Sequence, residues 1–242
     1  MNTEQHKITV SGLQVEIVRK NIKNLHLGVY PPAGRVRVAV PLRISNEAVR
    51  LAVVGKLGWI KRQQARFEQQ PRQSARDMVS GESHYFCGQR YRLRVYAASG
   101  PPMVAIRNAS IIELHVRLGA SVETRQKAMM RWYRQHLRDA IPPLVEKWQK
   151  RLGVNVSAYG IKRMKTKWGT CNAEAGRIWI NLELAKKSVD CLEYVVLHEL
   201  VHLVVRRHDD QFVEIMDKCL PRWRSLRAEL NGLPLAYEVW RE

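Results

Sequence analysis

The stretch that decides the fold is LHELVHLVVRRHDDQF, residues 197–212. It contains the pattern HExxH, in which His198 and His202 stand four residues apart and Glu199 lies between them. Residues four apart lie on one face of an α-helix, so both imidazoles can reach one metal ion. Glu199 lies about 100° around the helix from His198, where its carboxylate can take a proton from a metal-activated water without being a ligand. The pattern predicts a zinc-dependent hydrolytic site.

The surroundings of this pattern favour a metal site over purely structural histidines. Apolar residues flank HExxH on both sides and predict a largely buried helix. Buried polar groups need partners, and one metal ion satisfies these side chains together. The alternative is that the histidines serve packing or the helix surface. The apolar flanking residues are Val195, Val196, Leu197, Leu200, Val201 and Leu203.

The third protein ligand is either His208 or Glu214. His208 follows His202 by six residues, after Arg206 and Arg207, whose charges suit a helix C-terminus. A turn at that point would bring the ring of His208 back to the metal. Glu214 would instead reach the metal from the following helix. We favour His208, because imidazole is the commonest metal ligand and the spacing is tight.

The rest of the chain predicts an α+β protein with a β-rich N-terminal part. Short β-rich runs and a hairpin dominate the first hundred residues, and helical patterns dominate the remainder. Pro142 and Pro143 should kink or split one long helix. The predicted strands are 15–20, 26–30, 36–41, a hairpin at 85–96, two around a turn at 108–110, extended segments within 155–164, and 177–184. The predicted helices are 45–70, 121–152, 188–207 and 209–231, the last broken or bent near Pro221.

The charge of the chain is strongly positive and uneven. Lys and Arg outnumber Asp and Glu by 41 to 22, which gives a formal net charge of +19. Residues 1–150 carry 26 basic and 10 acidic residues, whereas residues 151–242 carry 15 and 12. Such a field attracts polyanions, including nucleic acid and acidic protein faces. The N-terminal two-thirds therefore form a candidate nucleic-acid-binding region, and the alternative is a solvated surface that keeps the protein soluble.

Targeting signals and cysteine usage indicate a cytoplasmic protein without a membrane span. The N-terminal residues MNTEQHKITV lack the basic flank and apolar run of a signal peptide. No stretch approaches the roughly 20 apolar residues that a membrane-spanning helix needs. The four cysteines form no CxxC pair, which argues against a thiolate zinc cage or a redox pair and favours reduced thiols.

Further motifs make the sequence resemble the YgjP-like group of metal-dependent hydrolases, within the metallopeptidases. They are MKTKWGTCN (164–172), RIWINLEL followed by YVVLHELVHL (194–203), and His208 followed by Phe212. The segments RVRVAVP and GWIKRQQ also fit, so the resemblance spans nearly the whole chain. It implies an α+β, zincin-like fold, with residues 1–100 as a β-rich basic region and 101–242 as the metallohydrolase domain. It also implies zinc held by His198, His202 and His208, with Glu199 as the base.

The resemblance extends to the zinc proteases of the WLM and SprT-like groups, which cut proteins crosslinked to DNA. In WLM proteins the third histidine follows the second at the same interval. Metzincins place a glycine where this chain has Val205, which weakens a metzincin assignment. In zincins, the strand corresponding to RIWINLEL often forms the sheet edge that pairs with a peptide substrate. The WGTC block either shapes that edge or the metal pocket, or it forms a tight turn, with Gly169 for the backbone and Trp168 for packing. The turn is favoured.

The leading functional prediction is a metallopeptidase in which metal-activated water attacks a peptide bond. A hydrolase of nucleotide phosphoanhydrides would also suit the positive field. A nucleic-acid-binding module with a structural metal is the third possibility, against which Glu199 argues, because a structural site has no use for a base. Tyr159, Tyr194 and Arg222 are candidates by type for stabilising the oxyanion of a peptide transition state.

Overall fold

The computed structural model describes residues 4–30, 34–69, 76–164 and 167–232. The chain divides into two compact units, Met1–Pro71 and Arg72–Glu242. This division lies earlier than the predicted boundary between residues 100 and 101, because the hairpin predicted at 85–96 joins strands that follow it in the chain. Residues 165 and 166 of the MKTKWGTCN block and the last ten residues of the predicted metallohydrolase domain lie outside the described residues.

The first unit is a four-stranded sheet with two helices. Its strands follow the order β1-β2-β4-β3, with β2 and β4 parallel. One face of the sheet buries alternating Val and Ile residues against Val49, Val53 and Ile60 of the helices. The predicted single helix is broken at Gly55 and Lys56. The elements are β1 (Glu4–Val10), β2 (Leu13–Lys20), β3 (His26–Tyr30), β4 (Arg35–Pro41), α1 (Asn46–Val54) and α2 (Leu57–Gln69).

The second unit begins with another four-stranded sheet, in the order β5-β6-β8-β7. A long helix, α3 (Val122–Leu152), packs against β7 and β8. It runs unbroken through Pro142 and Pro143, so the predicted split does not occur. Leu93, Ile112 and Leu114 are fully buried in the core that the sheet shares with this helix. The strands are β5 (Ser83–Phe86), β6 (Gln89–Ala97), β7 (Met103–Asn108) and β8 (Ile111–Val116).

A three-stranded sheet contains the WGTC and RIWINLEL motifs of the second unit. It comprises β9 (Ala158–Lys162), β10 (Gly169–Asn172) and β11 (Arg177–Asn181), in the order β10-β11-β9. The RIWINLEL strand ends at Asn181, where a short 3₁₀ helix, Leu182–Lys186, begins. Two predictions were wrong here. RIWINLEL forms the central strand rather than an edge, and the WGTC block is the edge strand β10 rather than a tight turn.

Three helices complete the second unit and give a mixed α+β architecture, as predicted. They are α4 (Val189–Val201), α5 (Asp210–Cys219) and α6 (Trp223–Gly232). The helix predicted at 209–231 is two helices separated around Pro221, where the sequence predicted a break or bend. All four cysteines are free thiols. None of the helices within the described ranges combines the length and apolarity that crossing a membrane requires.

Candidate metal centre

Helix α4 carries the HExxH pattern at its C-terminal end. Ser188 caps the helix, its side chain accepting a hydrogen bond from the amide of Cys191. Most residues of α4 are buried, as the apolar flanks of the motif predict. His198 and Glu199 lie in the last turn, and His202 is the C-cap residue, whose amide donates to the carbonyl of His198. The two histidines therefore sit one turn apart on a rigid, buried helix.

The chain turns back directly after α4 and returns His208 to the helix. The amides of Leu203, Val204 and Val205 donate to carbonyls of the last helical turn at 3.0, 2.9 and 2.8 Å. The backbone of Val205 does not adopt a positive φ. A glycine is therefore not required at this position, where metzincins have one. Asp209 then caps α5 by accepting a hydrogen bond from the amide of Phe212 at 3.2 Å.

Three imidazoles converge as predicted from the sequence. One nitrogen each from His198, His202 and His208 lies within 4.8 Å of the others. The Nε2 atoms of His198 and His208 are 3.1 Å apart, close to the separation of about 3.3 Å between two nitrogens on one tetrahedral zinc ion. Glu214, the alternative third ligand, is exposed on α5 and is not part of this cluster.

The contacts around the rings suit metal binding better than mutual hydrogen bonding. The Nδ1–H of His202 donates to the carbonyl of Val205 at 3.1 Å, which leaves Nε2 free as a ligand. Phe212 is buried against all three rings, with centroid distances of 5.0, 5.1 and 4.7 Å to His198, His202 and His208. The Nδ1 of His198 is buried without a hydrogen-bond partner in the described part of the chain. The three ring nitrogens that face one another form a donor set that a divalent cation fits.

Burial and nearby charges lower the pKa values of His198 and His208 and so favour their neutral, metal-binding form. Burial lowers the pKa of His198 to about 3, and the nearby charges of His202, His208 and Arg227 act in the same direction. Burial also lowers the pKa of His208, assisted by His202 and Arg227. Neutral imidazoles present lone pairs at physiological pH, because no proton has to be displaced first.

Glu199 lies beside the histidines in a pocket that Gly169 leaves open. Its side chain is 5% exposed, and burial raises its pKa to about 8, an effect that Lys167 opposes. A Cβ atom on Gly169 would lie only 2.5 Å from the Oε1 of Glu199 and 2.8 Å from its Cγ. Gly169 is thus required by the close approach of the carboxylate, not by a turn. The sequence showed only a glycine in the WGTC block and not what it contacts.

An open cavity of about 830 Å³ surrounds the centre. Its walls are β10, the loop that follows β10, α4 and α6, and three cations face it: Lys167, Arg206 and Arg227. Tyr194, one turn before His198, also lines it, with its ring 5.8 Å from that of His198. Of the other oxyanion candidates, Tyr159 is not among the lining residues, and Arg222 forms an ion pair with Asp190 at 2.7 Å.

Among solved structures, the chain is similar to two metallopeptidase zymogens. For abylysin of Pyrococcus abyssi the identity is 20% over 37% of this chain and 90% of that chain, with a TM-score of 0.35. For jannalysin of Methanocaldococcus jannaschii the identity is 21% over 38% of this chain and 87% of that chain, with a TM-score of 0.34. Structural similarity at these TM-scores does not support an inference about function. No curated protein matches the sequence.

The family model described as "YgjP-like, metallopeptidase domain" matches residues 23–233. The match covers most of the chain and includes the MKTKWGTCN block, helix α4 and the turn to His208. It confirms the resemblance that these motifs indicated. The chain belongs to the YgjP-like metallopeptidase family.

Proposed function

We propose that this protein is a zinc-dependent peptidase with a zincin-like centre. The observation that carries the proposal is the convergence of three imidazoles beside a buried carboxylate, at the wall of an open cavity. Membership of a metallopeptidase family supports a metal-dependent hydrolase acting on proteins. His198, His202 and His208 would hold the ion, and their all-nitrogen donor set suits zinc.

Each remaining residue of the centre has a chemical task. A bound zinc ion would supply Lewis acidity, which lowers the pKa of water and polarises the scissile carbonyl. Glu199 would accept the proton of the attacking water and pass it to the leaving amine. Burial raises its pKa to about 8 in the absence of a bound ion, and the charge of a bound divalent ion would lower this pKa and favour the carboxylate that a base requires. Tyr194 keeps its phenolic proton, because burial raises its pKa to about 12, so its hydroxyl is available as a donor to the oxyanion.

The edge strand β10 offers a place for the substrate backbone. Among the described residues it pairs only with β11, on one side, and residues 169–172 line the cavity. An extended peptide can add to such an edge through main-chain hydrogen bonds, which hold its carbonyl groups at fixed positions. Glu199 packs against Gly169 at the start of this strand. A peptide paired with β10 would therefore pass directly in front of the carboxylate.

The Gly169→Ala variant is expected to retain its metal and lose turnover. The new methyl group would displace the carboxylate of Glu199, with which a Cβ atom overlaps. A displacement of about 1 Å in a catalytic group costs about 100-fold in rate. The measurements are kcat on a casein-derived peptide and zinc content by elemental analysis. Gly100→Ala is the matched control, because a Cβ atom at Gly100 meets nothing within 4 Å; equal activity of the two variants would contradict this role of Gly169.

The Tyr194→Phe variant is expected to lower kcat by about 100-fold or more, because the loss of one oxyanion donor has an effect of this size. Its zinc content should not change. The phenyl ring is retained, so the packing against His198 and the stacking with Trp223 persist. Tyr159→Phe is the matched control, because Tyr159 is absent from the cavity lining. Should Tyr194→Phe turn over at the wild-type rate, the oxyanion donor is a different group.

Hydrolysis of nucleotide phosphoanhydrides is the second candidate function. The observation that favours it is the set of three cations facing the cavity, Lys167, Arg206 and Arg227, since phosphates bind such groups well. Such an enzyme should work with Mg²⁺ or Mn²⁺ and release phosphate or pyrophosphate, whereas the imidazole donors favour zinc. Assays of wild-type protein on nucleoside triphosphates and on peptides, with each metal in turn, separate the two functions.

A further inference from the structure

A second functional surface lies on the outer face of the β5–β8 sheet, here called the arginine face. Strand β6 alternates between the two sides of the sheet: Tyr91 and Leu93 are buried in the core, whereas every second residue is exposed. The defining residues of the face are Arg90, Arg92 and Arg94 of β6, Arg107 of β7, His115 of β8, and the tyrosines Tyr85 and Tyr96.

The positive charge of this face is not neutralised by the sheet. Glu113 is the one acidic residue in the sequences of the four strands, and it already contacts His115 at 3.2 Å and Arg107 at 3.9 Å. Within the described residues, the side chains of Arg90, Arg92 and Arg94 have no ion pair or hydrogen bond. Alternate residues of a strand are about 6.6 Å apart, so these three guanidinium groups form an evenly spaced row that is open to solvent.

Aromatic rings flank this row at both ends. Tyr85 stands opposite Arg90 across the β5–β6 pair and is 41% exposed. Tyr96, which is 38% exposed, stacks on His115 with a centroid distance of 5.2 Å and an angle of 21° between the rings. Two partly exposed tyrosines therefore lie on the face that carries the arginines, and their rings offer flat surfaces to solvent.

We propose that the arginine face binds single-stranded nucleic acid. Unpaired guanidinium groups attract phosphates, and exposed aromatic rings give unpaired bases a surface on which to stack. An acidic protein would use the charges but gain little from the rings, and a duplex keeps its bases stacked on each other. The proposal goes beyond the proposed peptidase function and does not depend on it, because none of these residues lines the metal cavity.

The first test measures binding of a fluorescent single-stranded oligonucleotide of about 20 nucleotides to the full chain by anisotropy, over a series of salt concentrations. The triple variant Arg90→Gln, Arg92→Gln, Arg94→Gln is expected to bind about tenfold more weakly or worse. It should also reduce the slope of log affinity against log salt by about 2, since each neutralised phosphate of a single strand contributes about 0.7.

The control removes three other cations of the same unit. Arg131, Arg138 and Lys150 are exposed on α3, and within the described residues their side chains take part in no ion pair or hydrogen bond. Their triple substitution by Gln removes the same charge and should leave the affinity within about twofold of wild type. Circular dichroism and the melting temperature verify that both variants fold. If the two triple variants lose the same affinity, general charge and not the arginine face binds the strand, and the proposal is wrong.

The second test separates nucleic acid from an acidic protein partner. The double variant Tyr85→Ala, Tyr96→Ala is expected to weaken binding of the single strand by about fivefold or more through lost stacking, with an unchanged salt slope. Binding of polyglutamate, tested in parallel, should not respond to this change. Unaltered affinity of the tyrosine variant for the oligonucleotide, with tight arginine-dependent binding of polyglutamate, would show that the face recognises an acidic polypeptide and would overturn the proposal.

Discussion

Replacing Glu199 with glutamine is expected to leave zinc in place and to lower kcat by about 100-fold to 10,000-fold, the usual contribution of a general base. Glutamine has nearly the same shape as glutamate, so it fills the pocket beside Gly169, but its amide cannot accept the proton of an attacking water. The three imidazoles are untouched by the change, so their affinity for the metal should persist. The measurements are turnover of a peptide substrate and zinc content of the purified variant.

Glu214→Gln is the matched control for this experiment. Glu214 is exposed on α5 and lies outside the histidine cluster, so its substitution should change neither zinc content nor turnover. Loss of zinc from the Glu214 variant would instead make that carboxylate the third ligand. Full activity of the Glu199 variant would contradict both enzymatic proposals.

Removing any one of the three imidazoles is expected to lower zinc affinity by more than about 100-fold. Changes in residues that merely support a ligand cost 10-fold to 100-fold, and loss of a ligand itself should exceed that. His198→Ala, His202→Ala and His208→Ala are compared by zinc titration. His26→Ala is the control, because His26 is an exposed histidine of the first unit. Zinc bound by the His208 variant with wild-type affinity would mean that only the helix histidines are ligands.

The same ligands should connect metal binding to stability. A cation that binds only the folded state, at a free concentration of about 1,000 times its Kd, stabilises that state by about 4 kcal/mol. Chelation is therefore expected to lower the melting temperature of the wild type and of Glu199→Gln, while the melting temperature of His198→Ala should not respond. If chelation lowers the melting temperature of His198→Ala as much as that of wild type, the stabilising metal binds at a site other than the histidine cluster.

Local sequence patterns predicted much of the second unit because they act over short distances. The HExxH spacing places two histidines on one face of a helix whatever surrounds it, since the helical repeat alone fixes their relation. The alternation of β6 and the apolar pattern of α3 predict their elements in the same way. The division around Pro221 was predicted, because proline removes a helical hydrogen bond. The break at Gly55 was not predicted, because a periodic apolar pattern continues across a short break in the backbone.

The WGTC block shows where this reasoning stops. A glycine beside a tryptophan suggested a turn, yet Gly169 begins an edge strand and is small because Glu199, thirty residues later, occupies the space beside it. The central position of RIWINLEL likewise depends on its pairing with both β9 and β10. Such contacts join residues that are distant in the chain, and no local pattern encodes them.

The sequence by itself determined that two imidazoles and a carboxylate share the end of one helix, and that the chain carries a large positive charge. Only the tertiary structure decided that His208 and not Glu214 joins the cluster, that Phe212 supports the three rings, and that Gly169 makes room for Glu199. The physical reason is that helix periodicity is a property of the backbone over a few residues, whereas a pocket is defined by packing between elements that the whole fold brings together.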